Sequence, residues 1–122
     1  MADITYNKTS KTLTWGAIHY RAITGGYGLG PLPSGSYKVR VRHVVASPAL
    51  SSSYENSLTS NRWFIPIEPQ FATSRDGFGI HPDGNIPGTK GCIGLPANEA
   101  GSFWTRWVNT PLNARPESLN VI

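Results

Sequence analysis

The clearest alternation in the chain runs from Tyr37 to Val45. Tyr37, Val39 and Val41 fall on one side, and Lys38, Arg40 and Arg42 on the other. A period of two describes a strand with one buried face. Shorter β-prone runs precede it. Ile4 to Tyr6 and Lys11 to Trp15 read as a hairpin turning through Asn7 to Ser10, and Ala17 to Ile23 continues the β character. Thr24 to Ser36 is too rich in Gly and Pro for either regular element. Its glycines do not sit between a strand and a helix, as a phosphate-binding loop requires. Ser47 to Asn61 is polar and reads as a long exposed loop. Arg62 to Ile67 is a short aromatic strand in which Pro66 marks an edge or an ending, and Gly77 to His81 is a further strand. The period changes once: from Ala97 to Val108, Ala100, Trp104, Trp107 and Val108 fall on one helical face. Pro111 closes that helix, and Leu119 to Ile122 forms a last strand. The pattern predicts a mainly β architecture with one late helix.

Composition narrows this to a single domain over residues 1–122, because domains most often run ~100–150 residues. Thirteen Gly and ten Pro argue for many turns and against a helical bundle. The net charge of +4 favours an anionic partner. The Lys38, Arg40 and Arg42 cluster reads as a solvated strand face, and no nucleic-acid-binding motif is present. No signal peptide opens the chain and no run approaches the ~20 apolar residues of a membrane helix. Membrane insertion is therefore not expected. A protein made in the cytoplasm and acting on an external substrate would need a secretion or phage system to carry it to the periplasm.

The chemistry concentrates in Phe78 to Leu95, FGIHPDGNIPGTKGCIGL, a stretch of turns between short apolar runs. It holds Cys92, the only cysteine, so an intramolecular disulfide is excluded. Upstream lies His81. A Cys preceded by Gly in such a loop, with an imidazole able to take the thiol proton, is a candidate nucleophile and base. Gly91 lets backbone approach a substrate, which makes the N–H groups of Cys92, Gly91 and Lys90 candidates for an oxyanion hole. Lys90 also adds positive charge that favours thiolate. Asp83 is a candidate to orient His81, with Asn85 or a backbone carbonyl as alternatives. Arg75 is placed to grip a carboxylate, and Asp76 either pairs with it or meets an amine. Tyr27 and Trp63 are candidate cleft residues, with core packing as the alternative. One Cys and three scattered His give no metal-ligand spacing, and no cofactor is expected.

These residues resemble the L,D-transpeptidase (YkuD-like) catalytic domain, a β-sandwich or barrel. The resemblance is closest to the short type VI secretion L,D-transpeptidase effectors. It rests on GGYGLGPLPSGSY, on RWFIPIEP (Arg62 to Pro69) and on SRDGFGIHPDGNIPGTKGCIGL (Ser74 to Leu95). It implies an enzyme acting on peptidoglycan stem peptides, with Cys92 as nucleophile and His81 as base. The implied reaction is L,D-carboxypeptidase or L,D-transpeptidase chemistry at the diaminopimelate–D-Ala bond of tetrapeptide stems. Thr89 resembles the motif's hydroxyl position. The chain departs from the common motif at Lys90 and Gly94, where His and Arg are usual, which leans the expectation toward trimming and exchange. An antibacterial effector toxin is implied, with an immunity protein or secretion-spike partner left open. A phage lysis endopeptidase and a non-catalytic basic wall-binding module are the alternatives.

Overall fold

The computed structural model describes residues 3–25, 30–83 and 92–122. Nine strands and one α-helix follow in the order β1 (Ile4–Asn7), β2 (Thr12–Trp15), β3 (Ile18–Arg21), β4 (Gly35–Val39), β5 (Val45–Ala46), β6 (Trp63–Pro69), β7 (Gly79–Pro82), β8 (Ile93–Leu95), α1 (Ala97–Asn109) and β9 (Ser118–Val121). The strands form one sheet ordered β3-β2-β1-β9-β4-β6-β7-β8, with β5 added alongside β6. Its two ends meet. Ile23 N–H donates to Gly94 O at 2.9 Å and Gly94 N–H donates back to Ile23 O at 2.8 Å, joining the chain just past β3 to β8. A sheet joined in this way presents far less unpaired edge. The mainly β, barrel-like architecture with one late helix is as the sequence predicts.

The hairpin forms where expected, because Asn7 Oδ1 accepts the N–H groups of Thr9 and Ser10 at 2.9 and 3.1 Å and so folds the turn. β9 then lies between β1, which it meets in parallel, and β4, which it meets antiparallel. The long strand expected from Tyr37 to Val45 is shorter: β4 stops at Val39 and the chain turns before β5. The expected basic row is therefore broken. Lys38 and Arg42 are exposed, while Arg40 pairs with Glu68 at 3.0 Å.

Pro66 does not mark an edge. It lies inside β6, opposite Gly79 of β7. Ile67 N–H turns toward Phe78 O, and Pro66 O toward Arg40 N–H. The proline nitrogen thus faces the place where β4 has already ended, so no ladder donor is lost.

The helix packs one face against the sheet. Its buried residues are Ala100, Phe103 and Trp107, which pack against Trp15, Tyr20 and Trp63. The face expected from the sequence was rotated by about one residue, since Trp104 is half-buried and Val108 exposed. Phe103 occupies the place given to Trp104 because the aromatic cluster of Trp15, Tyr20 and Trp63 converges on it.

Candidate active site

β6 sets the two faces of the wall. Trp63, Ile65 and Ile67 point into the core, leaving Phe64 and Pro66 on the outer face. The register with β7 puts Ile80 beside Ile65, and so puts Gly79 and His81 on that outer face. β8 runs parallel to β7 with Ile80 opposite Ile93 and His81 opposite Gly94. Cys92 precedes Gly94 by two positions and shares its parity. Carried one residue back from β8 to Cys92, this register sets the nucleophile and base candidates on the same side, one pleat apart.

His81 is 5% exposed. The Tyr54 ring meets it edge-on with centroids 4.7 Å apart, and the Phe64 ring lies nearly parallel at 5.9 Å. Its Nδ1 is 2.6 Å from Pro82 O. A carbonyl can only accept, so Nδ1 carries the hydrogen and Nε2 keeps the lone pair. Burial pulls the imidazole pKa down to about 4, partly opposed by the Pro82 bond, so the ring is neutral at pH 7.

Cys92 is half-buried, with Sγ 3.6 Å from Gly77 O. Burial pushes its thiol pKa up, while a Gly79 backbone hydrogen bond and the Arg75 charge pull it down. The Cys92 charge in turn adds to the burial that raises the Tyr54 hydroxyl pKa, which puts Tyr54 near both members of the pair. The resting state is a thiol beside a neutral imidazole. Such a pair can pass the proton as the sulfur attacks, without standing charge in a dry site.

Several sequence expectations need correction here. The group on His81 Nδ1 is the Pro82 carbonyl, not Asp83, whose own N–H donates to Leu95 O at 2.8 Å. Trp63 does not line a cleft at Cys92. It is 1% exposed, stacked on Trp104 at 4.8 Å and on Phe103 at 5.9 Å. Arg75 is near Cys92, but its Nη1 and Nη2 donate to the carbonyls of Pro31 and Gly30 at 3.1 and 3.3 Å. It ties the glycine-rich segment to the site. Asp76 is exposed. Tyr27, Thr89, Lys90 and Gly91 lie outside the described residues, as does Asn85.

Sequence reasoning missed Tyr54 and Phe64. Ser47 to Asn61 is not an open loop but an organised one. It contains a 3₁₀ turn over Ser52–Tyr54, a Glu55–Arg62 ion pair at 3.1 Å, and buried Asn56, which donates to Ala97 O at 2.9 Å. Tyr54 is the only aromatic residue in that polar stretch, which was the available signal.

Among the described residues no three His, Cys, Asp or Glu side chains gather to hold a metal ion. No helix among them is long and apolar enough to cross a membrane. A concavity of about 460 Å³ on the hairpin, around Thr5, Thr12, Thr14 and His19, includes none of the residues around Cys92.

No protein-family model and no curated protein matches the chain. Solved structures do. Bd1075 of Bdellovibrio bacteriovorus is similar over 99% of this chain and 47% of its own, at 13% identity and a TM-score of 0.64. An L,D-transpeptidase of Mycobacterium tuberculosis is similar over 99% and 58%, at 18% identity and a TM-score of 0.53. An L,D-transpeptidase from Mycobacterium smegmatis is similar over 99% and 59%, at 13% identity and a TM-score of 0.51. The chain thus spans about half the length of these proteins, and at such identities the likeness is one of fold: it has the L,D-transpeptidase (YkuD-like) fold.

Proposed function

We propose that the protein is a cysteine L,D-carboxypeptidase and L,D-transpeptidase acting on peptidoglycan tetrapeptide stems. The observation that carries this reading is the β7–β8 register, which sets His81 opposite Gly94, two residues after Cys92. It is supported by the fold and by the motif resemblance. His81 Nε2 takes the Cys92 proton as Sγ attacks the carbonyl joining diaminopimelate to D-Ala. In this reading the Cys92 N–H donates to the developing oxyanion, a contact of a kind worth ~2.7–4 kcal/mol of barrier. Collapse breaks the C–N bond, and the amine leaves as D-Ala with the proton from His81. Water, activated by the same Nε2, then hydrolyses the thioester; a free D-amino acid gives exchange instead.

We read the physiological role as that of an antibacterial effector delivered to the periplasm by a secretion or phage system, on the strength of the motif resemblance. An immunity protein and a secretion-spike partner would accompany such a role.

The test is mass spectrometry of tetrapeptide muropeptides incubated with the protein, with and without a free D-amino acid. Wild type should release or exchange D-Ala, and Cys92→Ala should do neither while keeping its fold. Turnover surviving in Cys92→Ala ends the reading.

A further inference from the structure

Arg75 precedes β7, and the structure fixes its guanidinium from two sides. Nη1 and Nη2 donate to the carbonyls of Pro31 and Gly30 at 3.1 and 3.3 Å, and the guanidinium carbon lies 5.3 Å from the centroid of the Phe78 ring. The segment that supplies those carbonyls is itself pinned. Leu32 N–H donates to the Thr24 hydroxyl oxygen at 3.0 Å, and the preceding residue, Ile23, exchanges two hydrogen bonds with Gly94. On the other side of the guanidinium, Gly77 O lies 3.6 Å from Cys92 Sγ. The ties form a ring that starts at Gly94, runs through Thr24 and Arg75, and returns at Gly77 to the sulfur.

A guanidinium stays charged at every working pH, and two directed N–H bonds and a ring face leave it little room to swing away. Burial raises the Tyr37 hydroxyl pKa to about 12 and raises that of the Cys92 thiol; the Arg75 charge opposes burial at both groups. His81 from β7 and Tyr54 from the organised loop also face Cys92. The imidazole is neutral at pH 7 and burial raises the Tyr54 hydroxyl pKa, so of these three Arg75 carries the charge. In the proposed cycle the sulfur bears negative charge twice. It does so when His81 Nε2 takes its proton, and again when the thioester C–S bond breaks and the thiolate leaves. Water solvates a half-buried anion poorly, and a cation already fixed beside it lowers that cost. A substrate carboxylate, by contrast, would have to displace the Gly30 and Pro31 carbonyls to use the same N–H groups.

We propose that Arg75 is a positioning residue for the nucleophile: the Gly30 and Pro31 carbonyls and the Phe78 ring hold its guanidinium where it stabilises the Cys92 sulfur in its anionic form. This adds to the charge expected of Lys90 and replaces the carboxylate grip expected of Arg75. Its consequence for turnover rests on the cysteine reading above, and the test separates the two. The chain has one cysteine, so the rate of alkylation by iodoacetamide, followed by mass spectrometry across pH, reads the ionisation of Cys92. Arg75→Gln keeps an amide donor but no charge; its midpoint should move to higher pH and its rate at pH 7 should fall several-fold. Arg75→Lys keeps the charge and should hold the midpoint near that of wild type. A merely structural role predicts the opposite, since loosening the site speeds alkylation. On tetrapeptide muropeptides Arg75→Gln should lower kcat for D-Ala release several-fold with KM little changed, and Arg75→Lys should recover most of the loss. Where Arg75→Gln does not fold, wild type and Arg75→Lys are compared with free cysteine for the ratio of iodoacetate to iodoacetamide rates. A fixed cation should raise that ratio in both, and a ratio no higher than that of free cysteine overturns the proposal. So does an unchanged midpoint in Arg75→Gln, or a raised KM with kcat intact, the mark of a substrate clamp. Absence of D-Ala release by wild type, with the midpoint still shifted in Arg75→Gln, removes the reaction and leaves the role of Arg75 at the sulfur standing.

Discussion

Protonating His81 should destabilise the protein by a calculable amount. The imidazole has an ordinary pKa of 6.5 and a folded value of about 4, held there by burial under Tyr54 and Phe64. Between those values the unfolded chain binds a proton that the folded chain refuses. Stability therefore rises with pH through this window and is lost as pH falls from about 6.5 toward about 4. The gap corresponds to about 3 kcal/mol, a large part of the ~5–15 kcal/mol that holds a typical domain together. Other groups also titrate in acid, so the measurement is a difference. Urea denaturation of wild type and His81→Gln at pH 7 and pH 4 isolates the imidazole, because glutamine does not titrate. Wild-type stability relative to the variant should fall by about 3 kcal/mol between the two pH values. NMR titration of the His81 ring should give a midpoint near 4 in the same protein. A midpoint near 6.5, or a difference in stability independent of pH, refutes the claim that burial keeps this imidazole neutral.

Two further outcomes test the frame around that ring. Gly79→Ala places a methyl group against the Phe64 ring, which also covers His81; thermal denaturation should show a loss of about 1–3 kcal/mol, and the His81 midpoint should rise as water reaches the ring. Asn56→Ala removes the bond to Ala97 O and the acceptor for Leu58 N–H, both at 2.9 Å; it should cost about 1–3 kcal/mol and make residues 57–61 a preferred site of limited proteolysis.

The sequence made the strands and the candidate nucleophile legible, because alternation, Gly/Pro punctuation and a lone Cys are local signals. It did not reveal what depends on distant pairing. β4 ends at Val39 where its neighbour β9 begins, and Pro66 of β6 faces the gap beyond that end. The helix phase was misread because Phe103, not Trp104, meets three aromatic rings arriving from β2, β3 and β6. Tyr54 became part of the site only through a polar loop whose order comes from Asn56 and Arg62. No periodicity encodes such side-chain-to-backbone ties. Asp83 was a natural guess from proximity, but the adjacent carbonyl reaches the ring first.

The placement of β9 bears on how the molecule is made. Residues 118–121 lie between β1 and β4, bonded to both. A chain that already carries His81 and Cys92 still has its wall split in two until β9 joins it. The seam joins segments more than a hundred positions apart, contacts that form late because their loop-closure entropy is greatest. The strand order thus makes the frame around Cys92 depend on β9, a segment that follows it by more than twenty positions.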